Sequence, residues 1–216
     1  MIDSPGKLHC ATAAPFDFTG QVRRLAEDFI ARLPELAHID LSRVLICYCQ
    51  ARNGEPYGMF ASLTPLRFAG GNATRTRRGQ VQTIESVHDS SGREMLYILS
   101  FYLPRFQNLP LREKLITVLH ELWHISPSFN GDIRRHAGRY HAHTHSQAEY
   151  DEEMGRQADR WLSLSPPDDV WDFLRHDFTG LAARHGSIVG LKIRRPRIVP
   201  ASPISTAEVA AAARAE

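Results

Sequence analysis

The chain has 216 residues, of which 43% are hydrophobic and 23% charged, values ordinary for a globular protein with one principal domain. Its 26 basic and 24 acidic side chains leave a net charge of only +2, which excludes the global basic field of a typical nucleic-acid-binding protein. The N-terminus lacks a basic segment followed by an apolar one, and no apolar run approaches about 18 residues. We therefore expect a cytoplasmic protein without a signal peptide or a membrane span.

The first half of the chain predicts one helix followed by strands. Residues 1–18 resemble a loose arm, and Thr19 is a candidate cap for a helix that runs to about Leu36, because its apolar residues recur at helical spacing. The Gly-rich, basic segment 70–79 is predicted to be a solvated loop. Strands are predicted over 44–49, 59–63, 66–68, 81–87 and 95–103.

The second half is predicted to be mainly helical. An amphipathic helix is expected from about Leu109 to Ile125, with Asn108 as its N-cap and Pro110 in its first turn. The remaining predicted segments are an irregular loop over 126–145, helices over 146–164 and 168–184, an edge strand or extended arm over 187–199, and a frayed tail from 201.

This order of elements predicts an α+β fold with a small sheet and a single principal domain. We expect a flexible N-terminal arm over 1–18, the principal domain over 19–186, and a partly disordered C-terminal extension over 187–216.

Three cysteines are too few, and of the wrong parity, for a disulfide framework. Cys10 lies in the N-terminal arm, whereas Cys47 and Cys49 lie two residues apart in the apolar run VLICYC, so a strand would point both side chains the same way. We interpret Cys47 and Cys49 as buried thiols in a reducing compartment and not as metal ligands.

The segment TVLHELWHI, residues 117–125, carries the motif His-Glu-x-x-His on the predicted amphipathic helix. His120 and His124 are four residues apart, so both imidazoles share one helix face and can bind one metal ion, for which zinc is suited. Glu121 lies beside them and can act as a general base without binding the metal. The motif predicts a zinc-dependent hydrolase with Glu121 as its catalytic residue.

A catalytic zinc site needs a third protein ligand, which the motif does not supply. The extended spacing HExxHxxGxxH is absent, because Pro127 and Asn130 occupy the positions of its Gly and last His. The ligand must therefore come from farther along the chain. The candidates are His136, His141, His143 and His145 in the following loop, and Glu149, Glu152 and Glu153 on the next predicted helix.

Other polar residues after the motif have two interpretations each. Asp132 could accept a hydrogen bond from a ligand histidine, or it could be a turn residue after Gly131. The arginines and the tyrosine of this loop could bind a substrate carboxylate or stabilise an oxyanion, or they could be solvated side chains. These residues are Arg134, Arg135, Arg139 and Tyr140.

The stretch from about 96 to 154 resembles the family of phage-type metallopeptidases, with a weaker likeness back to Val44. The family's HELxHI core corresponds to residues 120–125, its Gly-Asp-x-Arg-Arg turn to 131–135, and its Gly-Arg-x-x-Ala-His segment to 138–143. The resemblance implies a zincin-like fold, in which a small mixed sheet packs against the HExxH helix and further C-terminal helices follow. It also favours His143 as the third metal ligand.

The function that these observations predict is a zinc metallopeptidase with a peptide or protein substrate held along an edge strand. Two alternatives stay open. One is a DNA-associated or phage anti-defence metalloprotein, supported only by the basic segments 74–79 and 191–197. The other is a non-catalytic structural zinc domain that uses four closed ligands. The sequence does not indicate an oligomeric state.

Overall fold

The computed structural model describes residues 14–51, 58–135 and 147–201, with side chains from 152 onward in the last range. These residues form an α+β protein with five α-helices and three small sheets, as the order of predicted elements indicated. In chain order the elements are β1 (Phe16–Asp17), α1 (Phe18–Arg32), β2 (Val44–Gln50), β3 (Ala61–Pro65), β4 (Thr74–Arg77), β5 (Gln80–Ile84), β6 (Tyr97–Leu103), α2 (Leu111–Trp123), α3 (Gln147–Ser163), α4 (Asp168–Trp171), α5 (Phe178–His185), β7 (Ile188–Val189) and β8 (Ile198–Pro200).

The central sheet is mixed and has the strand order β2-β6-β3. Strand β6, the apolar run YILSFYL, lies in the middle, parallel to β2 and antiparallel to β3. Alternate β6 residues point to opposite faces, so Leu99 and Phe101 join the main core while Ile98 joins a second, smaller cluster. Strand β3 is an outer strand, and among the described residues no strand pairs with its other edge.

The main core lies between this sheet and the helices. Helix α1 packs near β2, α2 packs near β3, and α3 packs against α2. Aromatic side chains connect these layers: Phe18 meets Phe101 edge to face at 5.8 Å, and Phe29 meets Trp161 at 4.7 Å between ring centroids. The motif helix α2 is therefore packed on two sides, which leaves one face for the candidate site.

The N-terminal caps of helices α1 and α2 differ from the predicted ones. Asp17, not Thr19, caps α1 by accepting a hydrogen bond from the Gly20 amide at 2.9 Å. Pro110 occupies the cap position of α2, and the predicted cap Asn108 instead accepts a hydrogen bond from the Phe178 amide at 3.0 Å. Asn108 therefore makes a tertiary contact with the first residue of α5 in place of the predicted local cap.

The prediction of a solvated loop over 70–79 is wrong for its second half. Residues 74–77 form β4, which makes a hairpin with β5 through Arg78 and Gly79, both with positive φ (51° and 75°). Strand β8 pairs with the other side of β5. Strand β4 has the sequence TRTR, and its side chains are largely exposed. It therefore lacks the alternation of apolar and polar residues that would indicate a strand in the sequence.

The predicted helix over 168–184 is broken into α4, a 3-10 turn and α5. The break lies at residues 176–177, between the 3-10 turn and α5, and beside it the carbonyl groups of Leu174 and His176 accept hydrogen bonds from the buried Lys114 ammonium at 2.8 and 2.7 Å. Asp177 then caps α5 through the Gly180 amide at 2.6 Å. Burial lowers the pKa of Lys114 to about 8.

The two described cysteines are free thiols. Cys47 is buried with its sulfur 3.3 Å from the Ser100 hydroxyl, Cys49 is half-buried, and Cys10 lies outside the described residues. Within the described part of the chain, no helix has the length and apolar character needed to cross a membrane. In the predicted C-terminal extension, β7 pairs with β1 and β8 pairs with β5. The domain boundaries given above stay predictions.

Candidate active site

The two histidines of the motif lie at the C-terminal end of α2. His120 is in the last turn, and His124 follows the helix with helical dihedral angles (φ −66°, ψ −16°). Their ring centroids are 4.6 Å apart and the rings are nearly perpendicular, at 78°. The imidazoles are therefore neighbours on one helix face, as their four-residue spacing predicts.

Arg134 holds the end of this helix. Its amide donates to the His124 carbonyl at 2.7 Å, its Nε donates to the Trp123 carbonyl at 2.8 Å, and its guanidinium lies 4.2 Å from the centre of the Trp123 ring. A cation here also interacts favourably with the negative end of the helix dipole. Arg134 thus fixes the position of His124 from outside the helix, which is a structural role.

Asp132 anchors the turn that carries Arg134. It is 5% exposed, and its carboxylate accepts hydrogen bonds from the Gly70 and Ile133 amides, both at 2.8 Å, and from two nitrogens of Arg135. Burial alone would raise the pKa of Asp132, but these hydrogen bonds outweigh burial and hold the pKa below its usual range. Two of these donors, the Ile133 amide and the Arg135 guanidinium, belong to the turn, and the Gly70 amide joins it to the chain after β3, so they favour the interpretation of Asp132 as a turn residue.

Tyr97 supports the same turn from the sheet, and the sequence did not identify it. Its hydroxyl donates to the Asp132 carbonyl and accepts from the Gly131 amide, each at 2.9 Å. Gly131 has a φ of 85°, and an added Cβ would lie 2.5 Å from the Arg67 side chain. The glycine of the Gly-Asp-x-Arg-Arg turn is therefore required by both conformation and space.

Glu121 lies between the helix and the outer strand of the central sheet. It is 9% exposed, and its carboxylate accepts a hydrogen bond from the Leu63 amide of β3. Burial raises the pKa of Glu121 to about 7, and the Leu63 hydrogen bond opposes that shift only in part. A carboxyl that titrates near neutral pH has the property that a general base needs.

An open cleft of about 520 Å³ adjoins His120 and Glu121. The start of β3 forms one wall, the exposed face of α2 another, and Glu152 reaches it from α3. The Glu152 carboxylate also pairs with Arg156 at 3.0 Å and is largely exposed. The lining residues are Phe60, Ala61, Arg112, Glu113, Ile116, Thr117, His120, Glu121 and Glu152.

Most candidates for the third metal ligand lie outside the described residues. These are His136, His141, His143 and His145, together with the side chain of Glu149, and the same holds for Arg139 and Tyr140. Within residues 14–51, 58–135 and 152–201, no group of three or more His, Cys, Asp or Glu side chains could hold a metal ion. His120 and His124 supply two imidazole ligands suited to zinc, and the third ligand stays a prediction.

The fold and this site define an α+β protein with an HExxH helix, paired imidazoles and a buried glutamate beside an outer strand. A family model described as "Putative phage metallopeptidase" matches residues 19–195, so the chain belongs to this family. The family implies a metal and a peptide or protein substrate. Searches of curated proteins and of solved structures found no significant match.

The raised pKa of Glu121 predicts how the stability of the metal-free protein depends on pH. The folded state binds the Glu121 proton more tightly than the unfolded state, whose carboxyl has a pKa of 4.5. The resulting stabilisation is therefore complete below pH 4.5, decreases as the pH rises, and is lost above pH 7. The loss amounts to about 3 kcal/mol, since each pKa unit corresponds to about 1.4 kcal/mol.

The measurement is urea unfolding of the chelator-treated protein and of its Glu121→Gln variant across this pH range. The variant lacks the titrating group, so the difference between the two curves isolates Glu121. A difference that does not change with pH would show that Glu121 titrates at its ordinary pKa.

Proposed function

We propose that this chain is a zinc-dependent peptidase in which His120 and His124 bind the metal and Glu121 is the general base. The observation that carries the proposal is the environment of Glu121. It is buried, accepts a hydrogen bond from the Leu63 amide on an outer strand, and lines, together with His120, a cleft that can admit a substrate. The family supports the same class of reaction.

Zinc, when bound, would polarise the scissile carbonyl and make water more acidic, which is its usual contribution to hydrolysis. The paired imidazoles fit this ion, because neutral imidazole nitrogen is one of its preferred ligands. His143 is proposed as the third ligand, since the family segment Gly-Arg-x-x-Ala-His places its last histidine there. Gly131 and Gly138 give the intervening chain two points at which it can turn back.

The chain's own residues supply substrate binding and proton transfer. Apart from the Leu63 amide, which Glu121 occupies, the outer edge of β3 offers main-chain groups to an extended peptide, as in strand addition to a sheet. The Glu121 carboxylate takes a proton from the attacking water while the water oxygen bonds to the scissile carbon. The C–N bond then breaks, and Glu121 delivers that proton to the leaving amine.

We propose a zincin-like architecture for the central sheet and α2. In support, the HExxH helix packs beneath the outer strand β3, which is antiparallel to its neighbour β6. The catalytic domain would comprise residues 19–186, with the segments before and after it as a flexible arm and an extension. We also propose a cytoplasmic location.

Removal of the metal tests the proposed function. The full-length protein, purified with zinc, is expected to cleave an unfolded protein substrate such as reduced casein. Dialysis against a chelator should abolish cleavage, and one equivalent of zinc should restore it, because the reaction depends on the metal. Cleavage that persists in the demetallated protein would contradict the proposal. A zinc-loaded protein that cleaves no substrate would favour the structural zinc domain.

A further inference from the structure

We propose that a second cleft, at the far end of β3, binds acidic side chains of the substrate and makes the protein a peptidase for acidic peptides. The inference rests on the proposed function and names its substrate class. The cleft has a volume of about 980 Å³ and lies between the chain that follows β3, the turn at 132–135 and the start of β8. We call it the arginine cleft, after Arg67, Arg75, Arg135, Arg195 and Arg197 in its lining.

Three of the five arginines are already paired with acidic groups of the protein itself. Their charges therefore organise the walls of the cleft and contribute little net attraction for a ligand. The pairs are Arg67–Glu94 at 2.7 Å, Arg135–Asp132 at 2.8 Å and Arg197–Glu85 at 3.2 Å.

The other two arginines leave positive charge in the cleft. Arg75 lies 4.7 Å from the centre of the Phe68 ring and its Nε donates to the Gln82 side chain at 3.2 Å. Arg195 is exposed and also lines the cleft. In the described part of the chain, neither side chain has an acidic partner within ion-pair distance. Two guanidinium groups can each bind a carboxylate through two parallel hydrogen bonds.

Strand β3 connects this cleft to the candidate active site. Ala61 lines the catalytic cleft, the Leu63 amide binds Glu121, and Thr64 and Pro65 line the arginine cleft. At about 3.3 Å per residue, Pro65 lies roughly 7 Å along the strand from Leu63. An extended peptide on this edge would therefore place a side chain about two or three residues from the scissile bond into the arginine cleft.

The lining favours an acidic peptide over single-stranded nucleic acid. Bases need exposed aromatic rings on which to stack, and Phe68, the aromatic residue of this lining, is 9% exposed and covered by Arg75. Two uncompensated charges also match one or two carboxylates better than a chain of phosphates, which requires many cationic contacts.

The test measures binding of labelled peptides to the full-length zinc-loaded protein by fluorescence anisotropy. The Glu121→Gln background prevents turnover during the measurement. The probes are a ten-residue peptide with glutamates on both sides of a central Ala-Leu bond, the same peptide with glutamine in their place, and an oligothymidylate of equal length. We expect the glutamate peptide to bind about ten-fold more tightly than the glutamine peptide, as for hydrogen bonds between charged groups.

The double variant Arg75→Gln/Arg195→Gln should lose this preference, and Arg195→Gln alone, at an exposed position, should lose part of it without risk to the fold. Arg77→Gln is the matched control, because Arg77 lies on the same strand as Arg75 but outside the cleft lining, and it should keep the full preference. Equal binding of the two peptides, or tighter binding of the oligonucleotide, would overturn the inference.

The two proposals can fail separately. Selective binding of the glutamate peptide by a protein that hydrolyses nothing would refute the peptidase and leave an acidic-peptide binding site. Hydrolysis of the glutamate and glutamine peptides at equal rates by the zinc-loaded parent protein would leave the peptidase intact and refute the arginine cleft as its specificity site.

Discussion

Replacing Glu121 with Gln is expected to lower peptide hydrolysis to background, a loss of about 10²–10⁴-fold, while the zinc content stays unchanged. Glutamine keeps the size of the side chain and can accept the hydrogen bond from the Leu63 amide, but it cannot take a proton from water. The measurement is the initial rate of cleavage of an unfolded protein by the zinc-loaded variant, with zinc quantified in the same sample.

Glu27→Gln makes the same chemical change on the exposed side of α1, away from the cleft, and should leave the rate at the parent value. If the Glu121→Gln protein binds zinc and turns over normally, another group is the base and the reading of the motif must change. If the variant loses zinc as well, Glu121 contributes to zinc binding and not only to proton transfer.

Substituting either motif histidine with alanine is expected to remove the zinc. His120→Ala or His124→Ala deletes one of two adjacent imidazoles whose ring centroids are 4.6 Å apart, so the ion would lose a direct ligand. The fall in affinity should exceed the about 10–100-fold loss typical of changes to residues that only orient a ligand. Elemental analysis and competition with a chromogenic chelator measure it.

His88 provides the control, because it is exposed on the turn before β6 and lines neither cleft. His88→Ala should retain about one zinc per chain. Undiminished zinc in both motif variants would refute the site.

The same titration identifies the third ligand. Among alanine variants at His136, His141, His143, His145 and Glu149, we expect the largest loss of zinc affinity at His143. If His143→Ala binds zinc as tightly as the parent while another variant does not, the assignment is wrong and that other residue is the ligand. The peptidase proposal would survive this outcome.

The parts of the fold that the sequence predicts correctly are those determined by local patterns. The apolar runs of β2 and β6 and the amphipathic stripe of α2 appear within a few residues of where they were expected. The break within segment 168–184 has no signal in the local pattern, because the carbonyl groups beside it bind Lys114, some 60 residues earlier in the chain. Strand β4 was missed because its pairing with β5, and not its own composition, makes it a strand.

In the candidate site too, the sequence predicts what depends on local spacing and not what depends on distant contacts. The spacing of His120, Glu121 and His124 identifies them without reference to other residues. The environment of Glu121 could not be predicted, since its hydrogen bond comes from Leu63 on another element. The arginine cleft was equally hidden: Arg75 and Arg195 are 120 positions apart, and each resembles a solvated side chain until the sheet brings them to one cleft.

Basic residues connect both ends of the motif helix α2 to other parts of the fold. Near its start, Lys114 joins it to the carbonyl groups of Leu174 and His176. Just beyond its end, the Arg134 guanidinium donates to the Trp123 carbonyl and the Arg134 backbone amide to the His124 carbonyl. The backbone that carries His120 and His124 is therefore held by contacts that do not involve a metal ion, so the entropy cost of ordering the helix belongs to folding and not to metal binding. In a zinc finger, by contrast, the free energy of metal binding is the free energy of folding. In this protein the fold would stay intact after zinc dissociates, so zinc could be exchanged without unfolding the chain.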